Sequence, residues 1–98
     1  MNFSYDEKWE LVGYVRVSSI RYEILKRLKT KFLMPSEIAK ENDARTTLIS
    51  KELKNLKEHD LVNCKNESAT KGRIYKITPL GLEILEILEK NEFTETGS

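Results

Sequence analysis

The chain has 98 residues, 39% hydrophobic and 34% charged, with four Gly, two Pro, one Cys and one His. That length supports one hydrophobic core, and the composition excludes disordered and collagen-like chains, disulfide scaffolds and Cys/His zinc sites within a single chain. The net charge of +1 hides an asymmetry: residues 1–15 carry −2, residues 16–78 carry +7 from 15 Lys and Arg against 8 acids, and residues 79–98 carry −4.

Trp9, Val12 and Val15 recur every three residues, which predicts a helix over about 5–16. Ile20, Ile24, Leu25 and Leu28 form an apolar stripe on a second helix over 18–30, with Ser18 or Ser19 as its N-cap. Pro35 suits the first turn of a short helix over 35–42 with Ile38 and Ala39 inward, and Asn42-Asp43 supplies turn chemistry behind it. A further helix over about 45–59 faces the core with Ile49, Leu53 and Leu56. The period then shortens: residues 61–66 and 73–78 read as two strands around a polar six-residue tip that ends in Gly72. Thr78 followed by Pro79 signals the start of a last helix to about residue 91, with Leu82, Leu85 and Leu88 on one face and Ile84 and Ile87 beside them. Residues 92–98 read as a flexible tail. No apolar stretch approaches the about 20 residues of a membrane span or the roughly 7 to 15 of a secretory leader, so a soluble, cytoplasmic protein is expected.

The fold class expected is mainly α with a small two-stranded β wing, a winged helix-turn-helix over 18–78 flanked by helices at 1–17 and 79–91. Five segments sharpen this: Val15-x-x-Ser18-x-x-Arg21-x-x-Ile24-Leu25, Pro35-Ser36-Glu37-Ile38-Ala39, Ile49-Ser50-Lys51-x-Leu53-x-x-Leu56, Leu61-Val62, and Gly72-Arg73-x-Tyr75-x-Ile77-Thr78-Pro79-x-Gly81. In register over residues 12–90, they resemble the archaeal winged-helix transcriptional regulators of the ArsR/MarR-like superfamily. The resemblance implies sequence-specific binding of double-stranded DNA, with the helix over 45–59 in the major groove and the wing over 61–78 on the flanking backbone. Three positions depart from the family pattern. Met34 stands where a capping Thr is usual, which offers Ser36 as the cap. Asp43 and Arg45 replace the Gly and Ser/Thr of the turn, with Asp43 or Thr46 as substitute caps, and Asp60 replaces a Gly before the first strand.

Candidate DNA contacts are Ser36, Arg45, Thr46, Thr47, Ser50, Lys51 and Lys54 around the recognition helix, and Lys65, Lys71 and Arg73 on the wing. Arg and Lys pair with guanine edges or phosphate, Thr methyls meet thymine methyls, and hydroxyls reach phosphates. A solvated helix face and solubilising edge charges are the alternative readings. His59 reads as a solvated last-turn residue before a pH switch, and Cys64 as a half-buried small residue before a redox sensor. Tyr22 and Tyr75 read as core aromatics. The apolar residues of the terminal helices exceed what the winged helix itself needs, which predicts a homodimer with Trp9, Val12, Leu85 and Leu88 at its interface; the alternative is that the two helices pack on each other within one chain. No catalytic set, metal cluster or cofactor motif is visible. The competing functional reading is a winged-helix module for protein or RNA contact.

Overall fold

The computed structural model describes residues 5–97: α1 (Tyr5–Arg16), α2 (Ser19–Leu28), α3 (Pro35–Glu41), α4 (Thr46–Glu58), β1 (Val62–Cys64), β2 (Tyr75–Ile77) and α5 (Pro79–Gly97). Residues 1–4 of the expected N-terminal segment and Ser98 of the expected tail lie outside the described residues. The strands form one antiparallel pair in which Val62 faces Ile77 and Cys64 faces Tyr75. Tyr75 also exchanges backbone hydrogen bonds with Leu33 at 2.9 and 3.1 Å, so the connection between α2 and α3 lies along the free edge of β2. A five-helix chain with a two-stranded wing is the expected fold class.

Capping explains the element boundaries. The Ser18 hydroxyl accepts from the Arg21 amide at 3.3 Å and starts α2. At α3 the start is Pro35, and Ser36 does not cap it; the Glu37 carboxylate accepts from the Met34 amide at 2.8 Å instead. Both α3 and α4 end in the same way. Ala44 N–H reaches Ala39 O at 2.9 Å past Asp43 at φ 51°, and Leu61 N–H reaches Leu56 O at 2.9 Å past Asp60 at φ 62°. These are Schellman closures with Asp in the left-handed position that glycine usually fills. The last helix departs from expectation: α5 continues to Gly97 rather than giving way to a tail after residue 91, because residues 91–96 contain neither Gly nor Pro to break it.

One junction ties the wing to α5. The Thr78 amide donates to Leu61 O at 3.1 Å, its hydroxyl donates to Asp60 O at 2.7 Å, and that hydroxyl oxygen accepts from the Gly81 amide at 2.9 Å. Thr78 is only 4% exposed, so all its polar capacity is met inside the protein. A Cβ on Gly81 would lie 2.1 Å from Leu61 O, so only glycine lets the α5 backbone come this close.

The core is continuous from α1 through α2, α3, α4 and the wing base to α5. Here the structure corrects the interface expectation. Val12, Leu85 and Leu88 are 3%, 0% and 7% exposed within one chain, because α1 and α5 pack against each other and against α2. Only Trp9, at 41%, keeps substantial exposure among the four residues. The apolar excess of the terminal helices is thus satisfied by their mutual packing, with Lys8 to Glu83 at 2.7 Å and Lys29 to Glu89 at 3.0 Å closing the rim.

Two glycines inside helices should respond with opposite signs. Gly13→Ala meets nothing within 4 Å and should raise stability by about 0.5–1 kcal/mol through helix propensity, whereas Gly81→Ala should lower it by about 3 kcal/mol through overlap with the Leu61 backbone. Urea unfolding of the two variants measures both. Leu85→Lys places an ammonium in the fully buried core and should abolish the cooperative thermal transition rather than yield a folded monomer, as followed by circular dichroism.

Candidate nucleic-acid interface

Three elements converge on one groove. Ser36 from the first turn of α3, Thr46, Ser50, Lys54 and Lys57 from α4, and Thr70, Lys71, Gly72 and Arg73 from the wing line an open cavity of about 690 Å³ floored by Met34, Pro35 and Tyr75. Six of the ten residues expected to contact DNA therefore share one surface: Ser36, Thr46, Ser50, Lys54, Lys71 and Arg73. Arg45, Thr47, Lys51 and Lys65 are exposed outside it, Arg45 at the head of α4 and Thr47 and Lys51 on its outer face. Thr47, Ser50, Lys51 and Lys54 lie opposite the buried Ile49, Leu53 and Leu56, as the helical period requires.

The head of α4 has no side-chain cap. Arg45 occupies the N-cap with extended φ/ψ of −77° and 138°, and neither Asp43 nor Thr46 takes the capping role. The first-turn amides of α4 and their partial positive charge are consequently left to an external acceptor or water. Among the described residues, Arg45, Lys51, Lys54 and Lys71 have no carboxylate within ion-pair distance, whereas Arg21, Lys26, Arg27, Lys29 and Lys31 all do.

The orientation of α4 is fixed from behind. Arg21 Nε donates to Glu52 Oε1 at 2.9 Å, Nη1 donates to Tyr14 O at 2.9 Å, and the guanidinium lies 3.9 Å from the Tyr14 ring centroid. His59 stacks on the same ring, with centroids 4.0 Å apart and planes at 23°. Its Nδ1 lies 2.8 Å from the Asn55 carbonyl, which can only accept, so Nδ1 carries the proton. His59 is thus exposed, as expected of a last-turn residue, but it is also an aromatic contact between α4 and α1. Burial raises the Tyr14 phenol above its ordinary range; Arg21 opposes that shift, and the Glu52 and Glu58 carboxylates reinforce it. This network is invisible in an apolar periodicity because its members are polar and scattered over three helices.

The wing tip is held by side chains rather than by a ladder. Asn66 Oδ1 accepts from the Ile74 amide at 2.8 Å and Asn66 Nδ2 donates to Gly72 O at 3.1 Å, while Gly72 takes the left-handed φ of 66° that the turn needs. Arg73 folds back, with Nε donating to Ala69 O at 2.8 Å and Nη2 to Glu67 O at 3.1 Å. The strands are therefore shorter and the tip longer than sequence reading expects, and Arg73 has a structural duty besides any external contact. Lys65 Nζ lies 4.1 Å from the centroid of the exposed Phe32 ring and does not line the groove that holds Lys71 and Arg73. Cys64 is half-buried, with its thiol 3.5 Å from Asn66 Oδ1, and Tyr75 is buried as a core aromatic. Sequence reading missed Lys57 and Thr70 as groove residues; the charge of Lys57 three residues beyond Lys54 was the available signal.

Among the described residues, no group of three or more His, Cys, Asp and Glu side chains could hold a metal ion, and no helix is long and apolar enough to cross a membrane. No protein-family model and no curated protein matches the chain. Solved structures do. A MarR family transcription regulator aligns at 18% identity over 88% of this chain with a TM-score of 0.76, and the chain spans only 58% of that protein. HlyU from Vibrio cholerae aligns at 18% identity over 91% of this chain and 96% of its own, with a TM-score of 0.73. An ArsR family transcriptional regulator aligns at 20% identity over 96% of this chain and 97% of its own, with a TM-score of 0.67. At these identities the likeness is one of fold, and the fold of this chain is the winged helix-turn-helix of the MarR and ArsR transcription regulators.

Proposed function

We propose that the chain is a non-enzymatic transcriptional regulator that binds double-stranded DNA in a sequence-specific manner, with α4 in the major groove and the wing on the flanking backbone. The observation that carries this reading is the single groove in which hydroxyls and cations of α3, α4 and the wing meet. Its chemistry suits a polyanion: Lys54 and Lys71 have no carboxylate partner, and the uncapped amides at the head of α4 favour a phosphate oxygen. Arg45, Thr47, Ser50 and Lys51, on the exposed face of α4, are the candidates for base edges, where Arg and Lys read guanine and Thr methyls touch thymine. Lys65, paired with Phe32, is a candidate for a more distant phosphate.

Salt dependence tests the reading most directly. Lys54→Ala with Lys71→Ala removes two groove cations, and should lower affinity for all duplex sequences while flattening the plot of log affinity against log salt by about 1.8. An unchanged slope would falsify the groove assignment. Arg73→Ala makes a poor substitute for this test, since it also releases Ala69 and Glu67 and should loosen the wing amides in hydrogen exchange.

A homodimer on two half-sites belongs to the same proposal, with its contact built on exposed residues such as Trp9 and not on the buried Leu85 or Leu88. Sedimentation should show concentration-dependent association that Trp9→Ala weakens without loss of the thermal transition. Association that Trp9→Ala leaves intact removes that residue from the interface.

A further inference from the structure

One groove cation differs from its neighbours. Lys57, a turn beyond Lys54 on α4, lines the groove and forms an ion pair with Glu67 at the root of the wing tip, just outside the groove lining. Glu67 is anchored from behind, since its own carbonyl accepts from Arg73 Nη2 at 3.1 Å. The Lys57 ammonium is thereby drawn to the wing and its charge is cancelled on the surface where Lys54 and Lys71 stand unpaired. Both side chains keep substantial access to water, at 38% and 56% exposure. An ion pair in that setting is weak, and a second anion can displace its carboxylate. The mutual hydrogen bond holds Lys57 above the usual lysine range and Glu67 below the usual carboxylate range, so both carry full charge at neutral pH.

We propose that Glu67 is a competitor carboxylate beside the groove, holding the groove residue Lys57 on the wing until a nucleic-acid phosphate takes its place. The inference rests on the DNA-binding reading and adds an affinity-setting residue to it. Binding then requires an exchange: the Lys57 to Glu67 contact opens, Lys57 turns to phosphate, and Glu67 is left facing the polyanion. Part of the gain from one phosphate contact is spent on that exchange. The groove is held below its full affinity, and a regulator that must leave non-specific DNA needs such a restraint, because phosphate contacts are blind to sequence.

The test is fluorescence anisotropy of a labelled duplex with the full chain over a range of KCl, for wild type, Glu67→Gln, Lys57→Ala and the double variant. Glu67→Gln should bind about fivefold more tightly at low salt, with a log-log slope steeper by close to one. Lys57→Ala alone should change little, and in its presence Glu67→Gln should add distinctly less affinity than in wild type, since only the repulsion of an unpaired carboxylate is then relieved. A carboxylate that merely repels DNA would give the same gain with or without Lys57, and that outcome overturns the proposal, as does an unaltered Glu67→Gln. Wild-type protein with no salt-dependent duplex binding overturns the DNA-binding reading and this inference together, which separates the two failures. Carbon-13 titration of the Glu67 carboxyl gives an independent measurement on unmutated protein. Its midpoint should rise when saturating duplex is present, and a midpoint that does not move on binding rejects the exchange.

Discussion

The carbonyl of Leu61 governs where the rest of the molecule can sit. It accepts the Thr78 amide, and it lies so close to α5 that residue 81 must lack a side chain. The end of α4, both legs of the wing and the first turn of α5 therefore meet within a few residues of each other, with the Thr78 hydroxyl satisfying two further backbone groups at the same point. From this knot α5 runs back over α2 and α1, and the wing projects beside α4. The groove lies where this hairpin stands beside α3 and α4. Tyr75 strengthens that base from the other edge, where its backbone pairs with Leu33 just before α3.

Much of this was legible in the sequence, and for a definite reason. Ile24, Leu25 and Leu28, and Ile49, Leu53 and Leu56, each repeat at the helical period and are each buried, so the pattern reported both the helix and the face it presents. The Thr78-Pro79 pair marked the start of α5, and the polar run before Gly72 marked the wing. The error came where apolar surface had to be assigned to a partner. Leu85 and Val12 announce an inward face, but periodicity does not say whether the covering surface is a second copy or a helix more than 60 residues away in the same chain. The chain chose the latter.

Groove membership was legible only in part, because it depends on two kinds of signal. Thr46, Ser50 and Lys54 follow from the helical phase once the core face is known. Lys57, at the edge of that phase, enters the groove only because the wing reaches toward it. The place of Arg73 in the groove was visible as a charge next to glycine, but its inward hydrogen bonds were not, since backbone carbonyls as acceptors leave no trace in a sequence. The Arg21, Glu52, Tyr14 and His59 cluster was hidden for the same reason. It joins α1, α2 and α4 through polar atoms, and thereby steadies α4 from outside the groove lining.

The construction of the wing sets apart its reach from its footing. At the base, strand pairing, the Leu33 contact and the Thr78 junction make the hairpin part of the core. Beyond Lys65 and Ile74 the order is supplied largely by two side chains, Asn66 and Arg73, closing on nearby carbonyls and amides. Residues added at the tip between them burden only this outer loop, and even doubling such a loop costs about 0.6 kcal/mol in closure entropy. Hairpin length can therefore change without disturbing the helices, so the distance the wing extends beyond the core is a quantity that the fold leaves adjustable.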